Sequence, residues 1–335
     1  MSGRAVLKAL VLRGSRNVFT VVPDTPLDTI LECRIKGKIL KNMEDYYNPL
    51  APGDWVSIEE DPLHPGTALI IEAEERRNIL SRFNQKGQKS QILAANIDLA
   101  LCMTSPFSPP FRPRFLDRLL VQAEIANIMP VIVCNKWDLL EEDAEGNGAD
   151  FHLRRRSAAR CEIPEMEERL SDYRRIGYRV LCVSVKNGLG LKELCSLLAG
   201  KTSVLLGQSG VGKTSLVNAI SPGIALKTGA LNDKYDRGNH TTSLSVMLKL
   251  PFPGKVSYLV DTPGLRRMVP DGIKAEDLAL YMKEFAGFHG NCTYGLSCSH
   301  RGEPGCEILK AAAGGLIHKD RYESFLRIGD ELAAL

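Results

Sequence analysis

Long apolar runs are missing from these 335 residues. No stretch approaches the ~18 consecutive apolar residues of a membrane-spanning helix, so no membrane partner is expected. The first twelve residues mix charges among short apolar runs and show no signal-peptide cleavage pattern, which leads to the expectation of a cytoplasmic protein. A surplus of one charge is also lacking, since the formal net charge is +3. Binding to a nucleic acid therefore cannot rest on bulk charge and requires local basic patches. Neither an internal repeat nor a heptad run is visible, which excludes a solenoid or coiled coil and leaves a monomer as the expectation.

What is present suits packed domains: 44% hydrophobic and 25% charged residues, with enough length for two or three cores. The nine cysteines fall into two kinds. Cys33, Cys102, Cys134, Cys161, Cys182 and Cys195 are scattered, several of them inside apolar runs, as reduced core thiols would be. Cys292, Cys298 and Cys306 gather around His300. An odd total, no leader pattern and a Cys/His cluster favour a metal site in a reducing compartment over disulfides.

Residues 1–75 carry short β-branched runs (18–22, 31–35, 38–40, 55–58) separated by Gly, Pro, Asn and Asp, with a turn over 48–54 launching the Trp55 strand. That pattern fits a five-stranded barrel of the oligonucleotide-binding (OB) kind, and a generic small β-domain fits it nearly as well. Residues 76–96 read as a basic, polar linker containing Arg76, Arg77, Arg82, Lys86 and Lys89. From 97 onward buried-type strands (97–103, 131–134, 179–184, 203–206, 256–260) alternate with helices, such as one over 115–128, which predicts a parallel sheet covered on both faces. Residues 141–163 read as a charged surface insertion, and its Arg154, Arg155 and Arg156 suit a solvated face better than an RNA contact. Beyond about 270 the chain turns helical, over 275–286 and 308–328, with a break at Gly314 and Gly315.

Three motifs carry chemistry. The strand 203–206 runs into Gly207-Gln208-Ser209-Gly210-Val211-Gly212-Lys213-Thr214, and a helix starts at Ser215. Glycines let the backbone N–H groups turn inward on phosphate, the helix N-terminus adds partial positive charge, Lys213 bridges the β- and γ-phosphates, and Thr214 ligates Mg²⁺. Asp261-Thr262-Pro263-Gly264 would alone read as a turn. After a buried strand and beside a phosphate loop, Asp261 can hold the Mg²⁺ shell and the Gly264 N–H can sense the γ-phosphate. Asn135-Lys136-Trp137-Asp138 ends another strand. Asp138 accepts from the two guanine donors that adenine lacks, Asn135 braces the loop, and the Lys136 stem lies on the base. Ser184 and Val185, at a further strand end, can offer a backbone N–H to guanine O6, although a plain strand-to-loop junction fits them equally well. Together these motifs specify GTP.

Leu265 stands where Ras-like enzymes place a water-orienting Gln, and it cannot polarise water. The segment Gly238-Asn239-His240-Thr241-Thr242 lies where a first switch belongs. His240 is the candidate to position the water, and Thr242 or Thr241 to reach Mg²⁺; an ordinary surface histidine remains an even alternative. Cys292, Cys298, His300 and Cys306 form a Cys₃His set with no open position, hence a structural Zn²⁺ site, with His289 as a possible substitute ligand.

The guanine motif precedes the phosphate loop, the reverse of the order in an ordinary G protein. With Arg237-Gly238-Asn239-His240-Thr241-Thr242, the Cys/His cluster and Asn48-Pro49-Leu50-x-x-Gly53-Asp54, the chain resembles the bacterial small-ribosomal-subunit-dependent GTPase A family over nearly its whole length. That resemblance implies a multidomain protein: an OB-type barrel binding ribosomal RNA (1–75), a linker (76–96), a central α/β circularly permuted P-loop GTPase domain (97–270) and a C-terminal α-helical zinc-binding domain (271–335). It implies a factor in late maturation of the small ribosomal subunit, with weak hydrolysis stimulated by that subunit and no DNA partner. His240 and Leu265 correspond to the family's switch histidine and its apolar replacement of Gln. Two departures stand out: five residues instead of four between Cys292 and Cys298, and a longer insertion after Asp138.

Overall fold

The computed structural model describes residues 5–15, 17–25, 29–37, 46–84, 87–140, 163–222, 245–262, 265 and 268–335. Strands β1 (Leu7–Ser15), β2 (Val18–Pro23), β3 (Leu31–Ile35), β4 (Trp55–Glu60) and β5 (Thr67–Ala73) close a barrel in the order β1-β2-β3-β5-β4. Alternate residues point inward, as the period of two requires, and Val11, Phe19, Val21, Cys33, Val56, Ile58 and Ile70 fill the interior. The expected strand over 38–40 lies outside the described residues. β1 and β5 complete the barrel, and the sequence pattern singles out neither.

The turn over 48–54 ties the barrel to residues 92–95. Gly53 has φ +96°, and a Cβ there would lie 2.0 Å from the Ala95 carbonyl oxygen, so this close backbone approach needs glycine. The Asn48 side chain bonds the Ile92 backbone through both its amide groups at 3.0 Å.

Residues 76–96 are not a plain linker. β6 (Ile79–Asn84) and β7 (Lys89–Ala95) form an antiparallel hairpin whose Leu80, Leu93 and Ala94 enter the central core. Polar residues on its outer side mask this inner apolar face. Arg76, counted in that basic linker, has a buried side chain: its guanidinium holds both Asp54 carboxylate oxygens at 2.7 Å and the Pro49 carbonyl at 2.7 Å.

The central sheet contains β8 (Leu99–Thr104), β9 (Met129–Cys134), β10 (Arg179–Cys182), β11 (Thr202–Gly207), β12 (Val246–Leu250) and β13 (Ser257–Asp261), ordered β10-β9-β8-β11-β13-β12. The sheet is not wholly parallel, because β12 runs antiparallel along β13 at the edge. Helices α1 (Pro113–Ile125) and α2 (Ile163–Ile176) cover one face; α3 (Leu191–Leu198) and α4 (Lys213–Ile220) cover the other. The first core also takes Leu10 from the barrel, so barrel, hairpin and sheet share apolar packing. Most of the insertion at 141–163, including its three arginines, lies outside the described residues.

The expected helix over 275–286 is a 3-10 turn (Ala275–Tyr281) followed by the short α5 (Lys283–Ala286); α6 (Glu307–Ala313) and α7 (Lys319–Ala333) then flank the glycine break. α7 packs on α1 around a buried ionic cluster. The Asp117 carboxylate accepts from Arg321 at 2.7 Å, from Tyr173 at 2.5 Å and from Ser324 at 2.5 Å, with Arg169 3.7 Å away. Arg321 also holds Glu284 through two bonds, at 2.5 and 3.0 Å.

Candidate functional site

β9, β10, β11 and β13 all end on one edge of the sheet, because they are parallel, and the three motifs meet there. β11 delivers Gly207, the loop residues Gln208 to Gly212 come next, and Lys213, Thr214 and Ser215 make the first turn of α4. Gly210 and Gly212 sit at φ +87° and +92°. A Cβ on Gly212 would come within 2.4 Å of the Asn135 amide nitrogen, so glycine here is what lets the two motifs touch.

The Lys213 ammonium donates to the Gly207 and Gln208 carbonyls, both at 2.9 Å, folded over the cradle where phosphate belongs. Burial lowers the pKa of Lys213, with Asp261 partly offsetting it. Burial likewise pushes the Asp261 carboxyl up to about 6 against the pull of Lys213. Among the described residues the buried Asp261 Oδ1 has no hydrogen-bond partner. A buried carboxylate oxygen lacking a partner, beside a phosphate cradle, fits a hydrated Mg²⁺.

The guanine end is braced from below. Asn135, buried, donates from its amide to the Val211 carbonyl at 2.9 Å, tying the base motif to the phosphate loop. Lys136, at φ +63°, donates to the carbonyls of Gly210 (2.7 Å) and Ser108. The Ser184 hydroxyl donates to Asp138 Oδ1 at 2.6 Å and accepts from the Lys186 N–H at 3.2 Å. Asp138, Val185, Lys186, Asn135, Gly212 and Ser215 line a cavity of about 260 Å³. Trp137 contributes in a different way from its neighbours: its N–H donates to the Val183 carbonyl at 3.1 Å and its indole packs on the core. Sequence reasoning missed the Ser184 hydroxyl brace, for which a serine at a buried strand end is the available signal, and the Ser108 carbonyl, for which there is none.

Leu265 points into the core, 2% exposed, and its N–H reaches the Gly207 carbonyl at 3.2 Å. Its apolar side chain is packing, and it contributes nothing to orienting water. His240, Thr241, Thr242 and Gly264 lie outside the described residues.

The second cluster sits in the C-terminal module. The ligand atoms of Cys292, Cys298, His300 and Cys306 all lie within 4.8 Å of one another, and all four residues are buried. The Cys292 and Cys306 sulfurs are 3.9 Å apart, and His300 Nδ1 is 3.6 and 3.5 Å from them. A tetrahedral zinc with bonds of ~2.3 Å to sulfur and ~2.0 Å to nitrogen spaces its donors by roughly 3.6–3.8 Å, so the set fits. N–H groups of Glu307 and Leu309, in the first turn of α6, donate to the Cys292 and Cys306 sulfurs at 3.3 and 3.4 Å, which favours thiolates. Cys292 belongs to this group despite its unusual spacing. His289 stands outside it, its ring 6.1 Å from that of His300.

A family model for the RsgA GTPase matches residues 73–269, more than half of the chain. The chain belongs to the RsgA GTPase family. It is 34% identical, over 96% of each chain, to the "Small ribosomal subunit biogenesis GTPase RsgA" of Phocaeicola vulgatus, and 36% identical, over 90% of each, to the protein of that name from Moorella thermoacetica. Among solved structures it is similar to YjeQ from Thermotoga maritima, with a TM-score of 0.69 and 29% identity over 98% of this chain and 99% of that one. YloQ, described as a circularly permuted GTPase, superposes with a TM-score of 0.65 at 25% identity over 98% and 95%. The RsgA fold accounts for the chain order: the strands carrying the guanine motif are visited before the phosphate-loop strand, and the pocket closes all the same. This chain is a GTP hydrolase of that permuted architecture.

Proposed function

We propose that this RsgA-family GTPase acts in the cytoplasm as a late maturation factor of the small ribosomal subunit, binding its rRNA through the barrel and stimulated by the subunit. The observation that carries the reading is the direct bond between the base motif and the phosphate loop, Asn135 to Val211 at 2.9 Å. It supports one guanine nucleotide held across both motifs, and the relatives' shared name supports the ribosomal setting.

In this reading Asp138 selects guanine while the N–H groups of residues 208–215 and the Lys213 ammonium hold the phosphates. Thr214, Asp261 and Thr242 (or Thr241) would hold Mg²⁺, which when bound neutralises charge on the β- and γ-phosphate oxygens. With Leu265 buried, His240 is the group left to position the attacking water. Turnover measured with purified subunits should rise with small subunits and not with large ones. His240→Ala should cut the stimulated rate by about 10²-fold with GDP affinity unchanged. Stimulation by large subunits would redirect the reading to another particle, and a fully functional Lys213→Ala protein would reduce the site to a vestige on an RNA-binding scaffold.

Cys292, Cys298, His300 and Cys306 would hold one zinc as a structural staple. Metal analysis of the purified chain should find close to one equivalent, lost in Cys306→Ser together with protection of α6 and α7 from hydrogen exchange. Unchanged protection in a metal-free chain would rule the staple out.

A further inference from the structure

Two cysteines that the nucleotide site does not use lie directly beneath it. Cys134 is the last residue of β9 and Cys182 the last of β10, and they are register partners in the parallel ladder. Partners in such a ladder stand about 4.8 Å apart with side chains on the same face, and both cysteines pack in the same core. That spacing lies inside the ~4.4–6.8 Å range of Cα separations that disulfides span. Cys134 is wholly buried, whereas Cys182 is half-buried with the Arg174 guanidinium 3.7 Å from its sulfur. β10 is an edge strand of four residues, paired among the described strands with β9 alone.

We propose that Cys134 and Cys182 form a reversible thiol switch, oxidised to a disulfide by hydrogen peroxide, that loosens the guanine pocket above them. The Cys182 thiol gives up its proton, its thiolate attacks one oxygen of hydrogen peroxide to give a sulfenic acid, and the expelled hydroxide takes up that proton as water. The Cys134 sulfur then displaces the hydroxyl from that sulfenic acid, forming the S–S bond and a second water. Two thiols thus supply the two electrons and two protons that reduce one peroxide to two waters. Burial raises the pKa of both thiols and Arg174 partly offsets it at both, but only Cys182 is half-exposed and touches the guanidinium, so attack begins there. The half-buried Cys182 sulfur leaves such a bridge open to attack by a dithiol, which would reduce it again.

The residues just beyond the two cysteines brace the guanine pocket. Val183 N–H donates to the Cys134 carbonyl at 2.8 Å, the Trp137 N–H to the Val183 carbonyl at 3.1 Å, and Ser184 holds Asp138 at 2.6 Å. Drawing the end of β10 toward β9 displaces this set and leaves the phosphate loop on β11 untouched.

The switch rests on Asp138 reading the base, which GDP binding by the reduced protein tests separately. The zinc-loaded full chain is treated with hydrogen peroxide, its disulfides are mapped by peptide mass spectrometry, and GDP affinity is measured before and after. Expected are a Cys134–Cys182 bridge, at least about a tenfold loss of GDP affinity, and recovery with dithiothreitol. Cys182→Ser and Cys134→Ala should keep their affinity under peroxide. Oxidation mapping only to Cys161 or the zinc cysteines, a bridge without loss of affinity, or an equal loss in Cys182→Ser would overturn the switch.

Discussion

Asp138→Asn should lower GDP affinity by on the order of 10³-fold and raise affinity for xanthosine diphosphate instead, because the site then donates where guanine also donates. Guanine presents N1–H and an exocyclic amine to Asp138; xanthine carries a carbonyl in place of that amine, which an asparagine amide can meet. Ser184 already fixes one carboxylate oxygen of Asp138 at 2.6 Å, so the carboxylate is aimed before the base arrives. The residue is 7% exposed, and a base offering the wrong partner would leave it buried and unsatisfied. Competition binding with guanosine, xanthosine and adenosine diphosphates measures this. Equal losses for all three bases would show that Asp138 only supports the fold, and an unchanged GDP affinity would remove it from the site.

The nucleotide site is legible in the sequence because each part demands a residue type that little else replaces. Gly212 tolerates no Cβ against Asn135, the Lys213 ammonium must span the loop to the Gly207 carbonyl, and the proposed reading of guanine calls for an acceptor such as Asp138. Position along the chain matters less than chemistry, which is why the permuted order does not hide the pocket. The metal set is legible for the same reason.

The hidden elements depend on partners distant in sequence. The hairpin of β6 and β7 reads as a linker because Arg82, Lys89 and their polar neighbours dominate its composition. Its apolar residues declare themselves only once α1 and the sheet cover Leu80 and Leu93. β12 is short, half-exposed and carries the exposed Lys249 as its fourth of five residues, a weak signal for any strand. In α1 the apolar side is legible from Leu116, Leu119, Leu120 and Ala123, yet Asp117 and Gln122 are equally buried. An amphipathic pattern assumes one covered face, and α1 has two: the sheet on one side and the C-terminal module on the other.

That second face also takes up the chain leaving the GTPase core. Beyond Asp261 the backbone passes Leu265 and Met268, both in the central core, and reaches Asp271. The Asp271 N–H donates to Gln122 Oε1 at 3.0 Å, and its carboxylate accepts from Ser81 at 2.8 Å. The exit from β13 is thus latched to the hairpin and to α1 before the Cys/His module begins. Permutation makes α1 the common support of nucleotide edge, hairpin and C-terminal Cys/His module.

Removing the charge at the centre of that support should therefore be costly. Asp117→Ala leaves the fully buried Arg321 with Glu284 alone and the fully buried Arg169 with Asp172 at 3.5 Å, one positive charge in excess, and breaking a buried pair this way costs about 3–5 kcal/mol. Asp117→Asn keeps acceptors for Ser324 and Tyr173 and should lose less. Burial alone would raise the Asp117 pKa, but Arg321, Arg169 and the two hydroxyl donors outweigh it and hold the carboxyl below its ordinary value. A carboxyl held lower in the folded chain adds stability that is complete above its unfolded pKa of ~3.9 and fades as pH falls below it. The alanine variant should thus lose its penalty relative to wild type in strong acid. Replacing Asp117, Arg169, Arg321 and Glu284 together with apolar residues of similar volume should recover much of the loss, since Asp172 keeps Arg175 and no buried charge of the cluster is then left without a partner. Denaturant midpoints of the zinc-loaded chain measure all of these. A loss below about 1 kcal/mol for Asp117→Ala would mean that solvent reaches the cluster and that α7 is held on α1 by its apolar contacts alone.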